Sequence, residues 1–123
     1  MENNSCPFCL KKNILLKNNL CFVIWDKYPV NKGHSLIIPY RHISSYFDTT
    51  VDEKLSILDM IGDWKEFIEE KFHLDGYNII INNGEAAGQT IMHFHIHMIP
   101  RYLGDSINPY NEVSKIIPLS LKH

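Results

Sequence analysis

Three of the chain's seven histidines fall within five residues, His93-Phe94-His95-Ile96-His97. In an extended strand, side chains alternate between faces, so the three imidazoles share one face and Phe94, Ile96 and Met98 the other. Same-face neighbours then stand about 6.6–6.8 Å apart along the strand. Imidazoles this close disfavour one another's protonation and stay neutral. A neutral imidazole is a nucleophile and a metal ligand. The cluster therefore reads as a nucleophilic site, a three-histidine metal site, or the polar face of an edge strand. Its lead-in runs from Asn82 to Thr90. Gly84 and Gly88 allow close backbone approach. Asn82, Gln89 and Thr90 add neutral polar groups, which suit a phosphate whose charge grows in a transition state. An Asn-Gly pair between strands is also an ordinary hairpin turn.

A second constellation is Cys6-Pro7-Phe8-Cys9. With Cys21 the cysteine count is three, and an odd count argues against a disulfide framework. Cys6 and Cys9 supply half of a tetrahedral zinc site that two histidines can complete. Two reduced thiols or a redox pair are the alternatives, and Cys21 reads as a small core residue.

These residues need elements to hold them. Leu20 to Trp25 and Ser35 to Ile38 are apolar, β-prone runs separated by a turn containing Pro29, Asn31 and Gly33, a hairpin-like pair. A short helix is expected from the cysteine segment to about Leu16. Thr50 and Glu53 have capping-box spacing, and Ile57, Ile61, Trp64 and Ile68 then mark one apolar helix face. Lys71 is expected in the last turn, with Asp75-Gly76 as the stop. Tyr77–Ile81 and Ile91–Ile99 read as further strands. Strands around one main helix indicate an α+β domain with an antiparallel sheet. His73 is expected exposed after the helix, and His123 disordered at the terminus. Arg101 reads as a phosphate contact or a surface ion pair; Trp25 and Tyr28 as base-flanking or packing residues.

With 123 residues the chain suits one domain, 1–123, with a core at about 6–110 and an irregular tail over 102–123. Apolar residues at 45%, charged residues at 21% and a net charge of −2 give no footprint for nucleic acid or an anionic membrane. The polar start, Met1-Glu2-Asn3-Asn4-Ser5, is no signal peptide, and no apolar run approaches the roughly 18 residues of a membrane span. A cytoplasmic protein is expected.

Gly88-Gln89-Thr90-x-x-His93-x-His95-x-His97-x-x-Pro100-Arg101 resembles the signature of the histidine-triad (HIT) superfamily, His-φ-His-φ-His-φ-φ with φ apolar. Asp26-x-x-Pro29-x-x-x-Gly33-His34-x-Leu36-Ile37-Ile38-Pro39-x-x-His42-Ile43 and Cys6-x-x-Cys9 resemble it too, so the likeness spans about residues 6–110. The tail Arg101-Tyr102-x-Gly104-Asp105-x-x-Asn108-Pro109 is similar to bacterial diadenosine polyphosphate hydrolase-like members. It departs from them at Tyr110-Asn111-Glu112-Val113-Ser114-Lys115-Ile116-Ile117-Pro118, where those usually carry a Gly-Gly-Val-Arg segment before an Ile-Pro.

The resemblance implies a five-stranded antiparallel half-barrel sheet with one long helix and a short N-terminal helix, usually as a homodimer. It implies that His95 attacks the α-phosphorus of a purine nucleotide, that His97 assists the leaving group, and that the His93 carbonyl sets the His95 tautomer. Asn82, Gln89 and Thr90 are then phosphate-binding residues, and Asp26 holds the ribose, although the residues alone equally suggest a turn cap. His34 lies near the phosphate site or supports the triad, as a third catalytic residue. A structural zinc on Cys6, Cys9, His42 and His93 is implied, with no organic cofactor. The implied activity is hydrolysis or transfer at the α-phosphate linkage of a nucleoside phosphoramidate or dinucleoside polyphosphate. His97, where related sugar-phosphate transferases carry Gln, favours hydrolysis. A nucleotide-binding, zinc-stabilised interaction module with little catalysis is the alternative.

Overall fold

Five segments form strands in a computed structural model of the chain, which describes residues 5–105: β1 (Leu16–Lys17), β2 (Cys21–Trp25), β3 (Ser35–Pro39), β4 (Gly76–Ile81) and β5 (Ile96–Arg101). Antiparallel ladders join them in the order β1-β2-β3-β5-β4, so β4 is an edge. One helix, α1 (Val51–Glu69), lies between β3 and β4 in sequence. The Thr50 hydroxyl accepts from the Glu53 N–H at 3.1 Å, and the Glu53 carboxylate accepts from the Thr50 N–H at 2.8 Å, closing the expected capping box. Glu53 is itself buried and takes two bonds from Arg41, at 2.7 and 3.2 Å. The helix start is thereby fastened to the segment that carries His42. No described helix is long and apolar enough to cross a membrane.

Ladder partners point to the same side of a sheet, and the register separates two cores. Val23 pairs with Ile37, and Ile37 with Ile96. This row joins Cys21 and Met98 beneath Ile57, Met60, Trp64 and Ile68 of α1. The adjacent row, Ile24–Leu36–His97–Ile80, faces away from the helix. There Phe22, Leu36 and Ile38 pack with Cys6, Phe8 and Cys9. Alternation thus carries His97 onto the face that the cysteine segment covers.

Four expectations need correction. Among the described residues no helix precedes β1: residues 7–10 form turns, and Lys11 and Asn13 take φ of 54° and 59°, left-handed values that break a right-handed helix. Leu16 belongs to β1 instead. The last strand begins at Ile96, not Ile91. β4 ends at Ile81 opposite Ile96, so residues 91–95 have no ladder partner, and the Phe94 N–H bonds the Ile43 carbonyl at 2.6 Å. Helix α1 ends at Glu69, which leaves Lys71 past the last turn and Gly76 in β4. The irregular tail beyond residue 105 and His123 lie outside the described residues.

Gly33 is demanded twice, by a φ of +87° and by space, since a Cβ there would stand 3.0 Å from Pro100 and 3.2 Å from Ile68. It delivers the chain to His34.

Candidate active site and metal centre

The triad histidines share one face, opposite Phe94, Ile96 and Met98 in the helix-side core, but divide between two sites on it: His93 lies against the cysteines while His95 and His97 turn toward Asp26 and His34. His95 is 7% exposed, and its Nδ1 lies 2.8 Å from the His93 carbonyl oxygen. A carbonyl only accepts, so Nδ1 carries the proton and Nε2 keeps its lone pair. Burial pushes the His95 pKa down, against the opposing pull of that hydrogen bond and of Asp26. The ring is therefore a neutral base with a fixed tautomer.

His97 stands beside it, with ring centroids 5.0 Å apart. Its Nδ1 is 3.0 Å from Nε2 of buried His34, and that same Nε2 is 3.1 Å from the Asp26 carboxylate. The Val30 N–H donates to His34 Nδ1 at 3.0 Å, which places the His34 proton on Nε2. That proton is shared between Asp26 and His97 Nδ1, so His97 carries its own on Nε2. Burial, then the neighbouring His95 and His34, push His97 down to about 4. Burial likewise lowers His34 against the pull of the Asp26 carboxylate, so an uncharged His34 ring donates its Nε2–H to that carboxylate. The backbone donor at Nδ1 also disfavours a metal on His34 Nε2, which would require the proton to sit where Val30 donates.

The opposite holds at the cysteines. His93 Nε2 donates to the Pro39 carbonyl at 2.8 Å, which frees Nδ1. That lone pair lies 3.4 Å from Cys6 Sγ, 3.6 Å from Cys9 Sγ and 3.1 Å from His42 Nδ1; Cys9 Sγ is 3.1 Å from His42 Nδ1. A tetrahedral zinc site has ligand–ligand edges of about 3.3 Å for N–N to 3.8 Å for S–S. Burial chiefly, and the adjacent Cys9, hold the Cys6 thiol above its usual range, a cost that a bound cation reverses. Donor types, spacing and the carbonyl behind His93 all fit a metal ion. All three cysteines are free thiols.

Asp26 uses one oxygen to accept from the Tyr28 N–H at 2.8 Å, so it does cap the turn, and the other toward His34. Gln89 is bonded within the chain itself. It is 3% exposed, its oxygen accepts from the Gly84 N–H, and its amide donates to the Ser44 and Ile91 carbonyls. That side chain is spent on holding the loop, and Gly88 at φ +100° makes the bend that turns it inward. Thr90 is exposed, in a depression of about 290 Å³ that also borders Ser5, Cys6 and His42; Asn82 is half-buried against Gly88. Another depression, of about 300 Å³, lies at Asp75 to Asp105, and neither is lined by His95. Arg101 pairs with Asp105 at 2.9 Å. Trp25 packs on Phe67 and Phe72, Tyr28 and His73 are exposed, and Cys21 is a core residue. Sequence reasoning missed Asn83, whose oxygen accepts from the Tyr46 N–H at 2.8 Å, and gave Phe8 no role. An Asn-Gly pair already read as a turn hides the first. The second lay between two metal-type ligands.

Comparison with known proteins agrees with this geometry. The model of the HIT domain matches residues 9–104. An uncharacterized HIT-like protein of Methanocaldococcus jannaschii is 32% identical over 90% of this chain and 91% of its own. A bis(5'-adenosyl)-triphosphatase of Dictyostelium discoideum is 34% identical over 89% of this chain and 76% of its own. The crystal structure of a Zn-bound histidine triad family protein from Mycobacterium smegmatis superimposes with a TM-score of 0.76, at 32% identity, covering 85% of this chain and 80% of that one. With the triad, the buried relay beside it and the cysteine–histidine cluster in one fold, the chain belongs to the HIT domain family.

Proposed function

We propose that the protein hydrolyses the α-phosphate linkage of a purine nucleotide, a nucleoside phosphoramidate or a dinucleoside polyphosphate, through a nucleotidyl–His95 intermediate. The observation that carries this reading is the 2.8 Å bond from His95 Nδ1 to the His93 carbonyl, which leaves Nε2 an unprotonated nucleophile. Nε2 attacks the α-phosphorus, a P–N bond forms, and the bond to the leaving group breaks. His97 Nε2–H hydrogen-bonds the departing atom. A phosphate leaves as an anion; an amine leaves with a proton, delivered by the small imidazolium fraction of His97. Water then attacks phosphorus, a P–O bond forms as the P–N bond breaks, the proton that water gives up restores the His97 imidazolium after an amine has left or passes to solvent after a phosphate, and a nucleoside monophosphate is released with His95 neutral again. Two easier displacements replace one hard one.

Asp26 keeps lone pairs beyond the two it uses, enough to accept from ribose hydroxyls. Thr90 and Asn82 serve phosphate oxygens; Gln89 shapes the loop that presents them. Cys6, Cys9, His42 and His93 hold zinc, which supplies a structural tie between the N-terminal segment and the residues leading into β5. The similarity to a triphosphatase that acts on adenosine groups favours adenosine. The test is AMP release from adenosine phosphoramidate and from diadenosine polyphosphates, with the adduct followed by intact mass. Release and adduct should both vanish in His95→Ala. Wild-type protein that binds nucleotide yet releases no AMP from either substrate class is a binding module.

The working unit in this reading is a homodimer. Val51, Leu55 and Leu58 form an exposed stripe at helical spacing on α1, 71%, 55% and 64% exposed. Exposed Ile79 and Ile81 lie on β4, an edge strand among the described residues. A second copy buries the stripe and can pair the edge. Leu58→Asp should halve the mass seen by sedimentation; an unchanged mass refutes this surface.

A further inference from the structure

Among the described residues His95 has one hydrogen bond to fix it, at Nδ1. That bond selects a tautomer and restrains rotation about Cβ–Cγ, but this torsion is of the broad sp³–sp² kind, and a single hydrogen bond leaves the ring room to swing and break it. Two rings restrict it. His97 lies on one flank, with centroids 5.0 Å apart and planes at 68°. Phe8 lies edge-on at 5.0 Å and 69°, and touches His93 in the same manner at 5.8 Å and 80°. Phe8 is 5% exposed and is not part of the core beneath α1. It sits in the turn between Cys6 and Cys9, a segment with no ladder hydrogen bonds to the sheet. That turn is held by the small apolar cluster of Phe22, Leu36 and Ile38 and by the convergence of its two sulfurs on His42 and His93.

We propose that Phe8 is a positioning residue: the cysteine turn, closed on His42 and His93, sets the edge of its ring against His95 and holds the imidazole so that Nε2 faces the phosphorus. The metal centre then acts on the reaction through packing and not through charge. Closing the site fixes the turn, the turn fixes Phe8, and Phe8 fixes the torsion of the neighbouring ring. An edge-to-face aromatic contact restrains a ring by an amount that corresponds to a rate effect of roughly three- to tenfold.

The inference rests on reading His95 as the nucleophile, so one readout is independent of turnover. Nitrogen-15 NMR of the histidine side chains reports whether His95 populates the Nδ1–H tautomer alone in one ring orientation. Wild-type protein loaded with zinc should show that single signature. Removing zinc with a chelator should broaden or mix it, and adding zinc back should restore it. Phe8→Ala should bind zinc in the same stoichiometry yet show the mixed signature with or without it. Phe8→Leu fills the volume without the aromatic edge and keeps the comparison available if the alanine variant does not fold; it should fall between the two. In the zinc-loaded variants kcat should drop roughly three- to tenfold, with KM changed by less than about twofold. Phe8→Ala or Phe8→Leu that keeps the wild-type signature and kcat, or a signature that zinc removal leaves untouched, overturns the proposal. Absence of turnover in the wild type with the signatures behaving as described overturns the hydrolase reading alone.

Discussion

Replacing His97 with asparagine tests the buried relay through stability and needs no substrate. Burial and its histidine neighbours push His97 down to about 4, and its side chain is 22% exposed. An unfolded histidine titrates near 6.5. Between those values the unfolded chain binds more protons than the folded one, so the folded state loses stability as pH falls through that window and keeps all of it above about 6.5. The gap is worth about 3 kcal/mol when His97 is fully protonated, and about 2 kcal/mol of it is already lost at pH 5. Asparagine presents an oxygen where Nδ1 now accepts from His34 Nε2, 3.0 Å away, so the substitution keeps the hydrogen bond and removes the titration. The assay is urea unfolding followed by tryptophan fluorescence, with Trp64 fully buried as the reporter. Wild type and His97→Asn are compared at pH 7.5 and pH 5. Acid release of metal and protonation of the other histidines act on both proteins and largely cancel in the difference. Wild type should lose about 2 kcal/mol more than the variant on acidification. Equal losses refute the placement of His97 as a buried, neutral partner of His34.

Two further outcomes follow from the core. Glu53→Ala removes the capping-box acceptor and both Arg41 bonds from a buried position. It should cost about 2–3 kcal/mol by urea unfolding, with Glu53→Gln recovering part, because glutamine can still accept from the Thr50 N–H. The indole N–H of Trp64 is fully buried with no hydrogen-bond partner among the described residues. Trp64→Phe should therefore cost under about 1 kcal/mol, against roughly 3–5 kcal/mol for Trp64→Ala, because losing an unpartnered donor offsets much of the lost volume. A thermal unfolding series separates the two.

How far the site was legible differs residue by residue. The capping box at Thr50 and Glu53, the apolar face of α1 and the strands read at Leu20–Trp25 and Ser35–Ile38, each within one residue of the observed bounds, stand in the sequence because each depends on neighbours at fixed spacing along one chain. The pairing of Cys6 and Cys9 with His42 and His93 was named only through family resemblance, since no local spacing joins residues so far apart in sequence. Gln89 looked like a phosphate ligand because residue type shows what a side chain can bond and not what it has already bonded. Only the fold brings the Gly84 N–H and the Ser44 carbonyl to it.

By itself the sequence determined which chemistry is present: three histidines at alternate positions, two cysteines at ligand spacing, and one amphipathic helix to back a sheet. Tertiary structure alone decided how that chemistry is divided. Alternation along the chain treats His93, His95 and His97 alike, and all three do lie opposite Phe94, Ile96 and Met98, but only long-range packing sets what each one meets. The cysteine turn comes to His93, and His34 with Asp26 comes to His97, so one motif serves two sites.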